Sequence, residues 1–168
     1  MTPTNQPTNE QGQPAAVAAL QAAYGPPSQA GFGSAVFHAP SPADAPLEQA
    51  ALAKYRYFVG DQWERFGERA WMGPWRAVYT RPPSAKRDIV AELRAITDRD
   101  ARQSVEMLLD NVDEADQARA ALSVVYDDPA AAELTVYTIG DGDALSGLVI
   151  AGCQEETGND TILVFLFD

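Results

Sequence analysis

The side chains best suited to nucleophilic or ligating chemistry occur once each in this chain, as Cys153 and His38. A cysteine nucleophile needs a neighbouring base to take its proton, and a structural zinc site of the usual kind needs about four Cys, His or carboxylate ligands. Cys153 ends an apolar run, where a free cysteine is expected to behave as a small buried hydrophobe. His38 stands in the polar first quarter of the chain, and a serine nucleophile would have only this same histidine as its conventional base. The lone cysteine also rules out an internal disulfide, which fits a reducing cytosol.

Carboxylates are abundant, and two groups of them invite a metal reading. Asp141-Gly142-Asp143 opens like a calcium-binding loop, but Leu145, Ser146 and Gly152 stand where the fifth ligand, the turn glycine and the bidentate glutamate belong. A hairpin turn accounts for the same residues. Asp110, Asp113, Glu114 and Asp116 could hold Mg²⁺ or Ca²⁺, although acids there also suit the start of a helix, where they favour its positive end. Neither Gly31-Phe32-Gly33 nor Gly140-Asp141-Gly142-Asp143-Ala144 continues as a phosphate-binding loop. Nothing in the chain calls for a cofactor, and with 24 acids some carboxylates will lie close by chance.

A third constellation interleaves aromatic and basic residues between Trp63 and Arg81. Trp and Arg are enriched at interface hot spots and are also used on single-stranded nucleic acid. Asp61, Glu64 and Glu68 lie among the arginines, so the local positive excess is small. Packing is the first reading of this segment and a protein interface the second. The candidate interface residues are Trp63, Trp71, Trp75, Arg76 and Tyr79, joined by Asp141 and Asp143 of the glycine-rich turn. A carboxylate and arginine cleft between Trp71–Arg81 and Gly140–Gly147 is the enzyme or ligand-binding alternative.

Which elements must position these residues follows from periodicity. Leu134–Ile139, Leu145–Ala151 and Thr161–Phe167 are apolar runs separated by two turn signals, Gly140-Asp141-Gly142-Asp143 and Glu156-Thr157-Gly158-Asn159-Asp160, which predicts a C-terminal three-stranded antiparallel meander. Ile162 to Phe167 is apolar at every position, so this sheet must be covered on both faces. The helices available could cover one face and part of the other, and a homodimer could close the remainder. Gly147 and Gly152 leave room for a bulky ring, for which a tryptophan is the candidate.

Upstream, Leu52, Tyr55, Val59, Trp63 and Phe66 predict an amphipathic helix broken near Gly60. Trp75 to Thr80 alternates as a strand until Pro82-Pro83. Three helices follow: one capped by Ser84 that carries Ile89, Leu93 and Ile96, one starting near Asp98 or Asp100, and one starting at Asp113. Residues 1–46 are rich in Pro, Gln, Asn and Ser and lack Lys and Arg, so they read as a flexible tail before a single domain over residues 47–168. Within that tail, Ala15–Tyr24 has helical spacing and Gly31–Pro40 is locally apolar. The expected class is therefore α+β, with helices packed on an antiparallel sheet behind a disordered N-terminal tail.

Charge adds the functional clue. The 168 residues carry −12 in total, and by segment residues 1–46 carry −2, residues 47–102 carry +3, and residues 103–168 carry −13 with Arg119 their only cation. Such a field repels nucleic acid and anionic lipid and attracts basic partners, although acidity also simply favours solubility. No apolar run is long enough to span a membrane, and the first residues lack the pattern of a secretory signal. The expectation is a cytoplasmic, non-enzymatic protein-binding module, of the inhibitor, immunity or adaptor kind, with a basic protein partner and no nucleic acid or membrane. A structural subunit that assembles through its C-terminal strand is the third alternative.

Overall fold

The structure, a computed structural model, describes residues 14–41, 45–154 and 158–167. In chain order the elements are α1 (Ala15–Tyr24), β1 (Gly33–Pro40), α2 (Leu47–Val59), α3 (Asp61–Phe66), α4 (Glu68–Met72) and β2 (Arg76–Thr80). They continue with α5 (Ile89–Arg94), α6 (Arg99–Asp110), α7 (Ala115–Tyr126), β3 (Ala131–Gly140), β4 (Ser146–Gln154) and β5 (Asn159–Phe167). The strands form one sheet in the order β1-β5-β4-β3-β2, antiparallel at every junction. This is an α+β architecture, and its last three strands are the predicted meander.

Strand alternation sends two sets of side chains to two cores. Val36, Val136, Leu148, Ile150, Leu163 and Phe165 face α1, α5, α6 and α7. Phe37, Tyr137, Ile139, Val149, Val164 and Leu166 face α2, α3 and α4. That double burial is why β5 is apolar at successive positions, as a strand sandwiched between two helical layers must be. The chain's own helices cover both faces, so closing the sheet does not require the homodimer that could have completed it. β5 lies between β1 and β4 with both edges paired, and the free edges of the sheet are those of β1 and β2.

The tail expectation is also corrected wherever the structure describes it. Residues 15–24 form α1, with Val17, Leu20 and Tyr24 buried, and residues 33–40 form the edge strand β1, paired with β5 from Gly33↔Leu166 to Pro40↔Asn159. A ten-residue helix is marginal alone, but α1 docks on α7 and on β1, and tertiary packing supplies what propensity does not. Gly25, at φ +110°, turns the chain out of α1, and its carbonyl accepts the amide of Val36. Residues 1–13 of the proposed tail lie outside the described residues.

Local signals decide the remaining helix ends. Asp88, not Ser84, caps α5 by accepting the Ala91 amide, because the helix begins only where the apolar row starts at Ile89. Asp98 caps α6 through the Ala101 amide. The expected Asp113 cap is absent: Glu114 precedes α7 in the left-handed region, at φ 51°, and makes no side-chain cap bond. Gly60, at φ +68°, ends α2 where the sequence placed a break.

The glycine expectation holds in kind and fails in identity. A Cβ on Gly152 would come 2.9 Å from the Tyr126 ring, so the bulky neighbour is a tyrosine of α7 and not a tryptophan. Tyr126 reaches beneath the sheet and donates its hydroxyl to the Thr161 carbonyl at 3.1 Å and the Ile150 carbonyl at 3.3 Å.

Candidate functional site

The aromatic segment is chiefly core. Trp63 and Trp71 are 3% and 1% exposed, so neither can present its ring to a partner without unfolding. Their rings stack at 6.3 Å, and both meet Tyr55 edge-on. Tyr55 donates its hydroxyl to the carbonyls of Trp71 (3.0 Å) and Gly140 (3.1 Å), which ties α2 to α4 and to the end of β3. Trp75 is half-buried, stacked on Tyr137 at 4.5 Å, and its indole N–H donates to Glu48 at 2.9 Å. Of the three tryptophans, only Trp75 reaches the surface to any extent.

Arg76 and Asp143 lie on one groove, between the two segments that the sequence analysis pairs in its ligand-binding alternative. They line a groove of about 260 Å³ between the start of β2, the turn after β3 and α6, with Asp100, Ser104 and Thr138 on its walls, whereas Asp141 is not among its lining residues. Arg76 is held by Asp98 at 2.7 Å and Asp100 at 3.5 Å. Burial opposes ionisation of Asp98, but hydrogen bonds from Arg76 and from the Ala101 amide outweigh it and hold this carboxyl below the usual range. Asp141 accepts the amides of Asp143 (2.8 Å) and Leu145 (3.0 Å), the work of a turn residue rather than of a metal ligand.

Tyr79 belongs to another cluster, one that the sequence did not single out. Arg81, 6% exposed at its side chain, pairs with Glu92 of α5 at 2.6 Å and Asp127 at 3.0 Å, and donates to the Tyr126 carbonyl at 2.8 Å. Tyr79 donates to Glu92, and Asp127 accepts the first amide of α5, that of Ile89, at 2.8 Å. Burial and the bond to Glu92 push the Tyr79 phenol up to about 12. Burial raises Asp127 above the ordinary carboxyl range. For Glu92 burial is outweighed by the bonds from Arg81 and Tyr79, and its carboxyl is lowered. Every group here is spent on another, so the cluster reads as a clasp between β2, α5 and the end of α7.

His38 and Cys153 do not form a catalytic pair. His38 lies with Val36 on the α7 side of β1, where its Nδ1 meets Thr161 Oγ1 at 2.8 Å. Cys153 lies with Val149 and Ala151 on the α2 side of β4. Burial pushes the Cys153 thiol up, and burial lowers His38 against the opposing pull of Asp160. Neither shift favours a thiolate and imidazolium couple.

The acidic half has one internal cation, and it is fully used. Arg119 binds Asp110 at 3.2 Å, Asp116 and the Leu109 carbonyl at 2.6 Å, while Arg94 grips Asp110 with two bonds of 3.0 Å. The proposed metal ligands Asp110 and Asp116 are therefore occupied by arginines. No group of three or more His, Cys, Asp or Glu is arranged to hold a metal ion among the described residues. Asp113, Glu114, Glu133 and Asp143 are exposed and have no cation partner among the described residues.

One more acid stands apart. Asp160, the second residue of β5, is 5% exposed and faces α2 across a pocket of about 110 Å³. Its carboxylate accepts Ser41 Oγ at 2.6 Å, and Ser41 in turn lies 3.8 Å from the Cys153 thiol. The sequence grouped Asp160 with the turn residues before β5. The strand alternation Asp160, Ile162, Val164, Leu166 was the signal that it points inward. No helix of the described residues is long and apolar enough to cross a membrane. Comparison with protein families, with curated proteins and with solved structures finds no match to this chain.

Proposed function

We propose that this protein is a non-enzymatic binding module whose acidic C-terminal half receives a basic protein partner, in the manner of an inhibitor, immunity protein or small adaptor. The observation that carries this reading is the charge segregation left after internal pairing. Arg119 is the only cation among fourteen carboxylates in residues 103–168, and of these acids Arg119, Arg94 and Arg81 together pair with only Asp110, Asp116 and Asp127 among the described residues, so the other exposed acids project an uncompensated field. A field of one sign steers partners of the other and speeds their encounter.

The test is capture of binding proteins on the immobilised full chain, with elution by a salt gradient. The reading expects proteins rich in Lys and Arg that leave as ionic strength rises, since the screening length falls from about 10 Å at 0.1 M to about 3 Å at 1 M salt. Retention of neutral or acidic proteins, indifferent to salt, contradicts it.

The groove at Arg76 supports a second reading, a ligand-binding cleft, because it joins the two segments that the sequence paired. Asp100 and Asp143 on its rim are exposed, whereas acid catalysis favours desolvated carboxyls with raised pKa. This cleft therefore ranks below the binding module.

A further inference from the structure

We propose that the pocket beside Asp160 is a specificity pocket for one lysine or arginine side chain of the partner; this rests on the binding-module reading above and names the contact within it. The pocket lies between α2 and the paired ends of β1 and β5. Its walls are Ala39, Pro40, Ala50, Ala53 and Ile162, with Asp160 among them. Small side chains on both elements leave about 110 Å³ open, of the order of the hydrocarbon-lined cavities that hold a single small ring.

Charge then selects the occupant. A carboxylate taken out of water is costly unless it is paired, and breaking up such a pair is more costly still. Asp160 is 5% exposed and accepts a neutral hydroxyl, yet it forms no ion pair with any described residue. A cationic nitrogen carried on an apolar stem satisfies both halves of this site: the stem lies along the alanines and Ile162, and the head meets the buried carboxylate.

Lys54, a cation of the chain itself, also lines the pocket. Its ammonium rests over the Phe37 ring, 5.7 Å from the centroid, and forms no ion pair with a described residue. Lys54 therefore competes for Asp160 from the rim without occupying it. Residues 1–13, 42–44, 155–157 and 168 hold no Lys or Arg side chain.

The test uses the full-length protein and short capped peptides carrying one central lysine, one central arginine, or norleucine in the same place, followed by amide chemical shifts. Lysine or arginine peptides are expected to shift Ala50, Ala53 and Ile162, with norleucine at least tenfold weaker. Asp160→Asn should lose the binding at least tenfold, and Lys54→Met should strengthen it. If Asp160→Asn does not fold, Ala53→Leu narrows the pocket with the carboxylate intact and should produce the same loss. Equal binding of norleucine, absence of saturable binding by both basic peptides, binding of methylammonium as tight as that of the peptides, or a self-association abolished by Asp160→Asn would each overturn the assignment. Salt-sensitive capture of basic proteins that persists unchanged in Asp160→Asn would overturn the pocket and leave the binding-module reading standing; loss of such capture by the wild-type chain would remove that reading itself.

Discussion

Arg81 shows how a single residue can look functional in the sequence and prove architectural in the fold. It sits among aromatics and arginines that suggest a surface, yet its guanidinium is buried between Glu92 and Asp127. Replacing Glu92 by Gln should destabilise the protein by about 3 kcal/mol at neutral pH, since it leaves a buried charge short of its partner. The sign of the pH dependence follows from the direction of the shift. The folded-state carboxyl of Glu92 lies below its ordinary 4.5, so its stabilisation is fully present above that value and is lost as pH falls through the lower folded value. Asp127, raised by burial, acts in the opposite sense and gains on acidification, so the cluster titrates as a unit. Thermal unfolding of wild type and Glu92→Gln should therefore differ most at pH 7 and converge as pH falls through the lowered folded-state value of Glu92. A gap unchanged down to pH 3 would show that the pair contributes through packing and not through charge.

Elements carry the second lesson. Gly147, in β4, has no space for a side chain: a Cβ there would come 1.8 Å from the Phe165 carbonyl oxygen across the strand pair. Gly147→Ala should cost about 3 kcal/mol or more, because the obstruction is backbone that cannot rotate away; an unfolding midpoint close to wild type would refute this contact. At the other end of the chain, a protein beginning at residue 45 would lack α1 and β1, bare one edge of β5 and open the core at Leu163 and Phe165. It should lose cooperative unfolding, whereas a cooperative transition at the wild-type temperature would restore the tail reading. The meander, β2, the break at Gly60 and the three helices before β3 were legible because their periods and turn residues are local. α1 and β1 were not, because their few apolar residues count only once α7 and β5 are beside them. Asp160 was misplaced for a related reason: a residue next to a turn shows its inward face only when the register of the strand is known.

At the scale of the whole molecule, two helical layers enclose a five-stranded sheet. Burial of Trp63 and Trp71 and the separation of His38 from Cys153 by the sheet were invisible to the sequence, since the first depends on how α3 and α4 pack on the sheet and the second on which face each strand residue takes. The charge imbalance was legible in full, because counting needs no coordinates; the structure adds which acids are already paired. What reaches solvent is a surface whose sign changes along the chain, with the excess of carboxylates in the C-terminal half. The most direct measurement of the central claim is the equilibrium affinity of the full chain for a captured partner across a series of salt concentrations. The account predicts a partner with excess Lys and Arg and an affinity that falls steadily as salt rises. An affinity that stays level from low to high salt would contradict it.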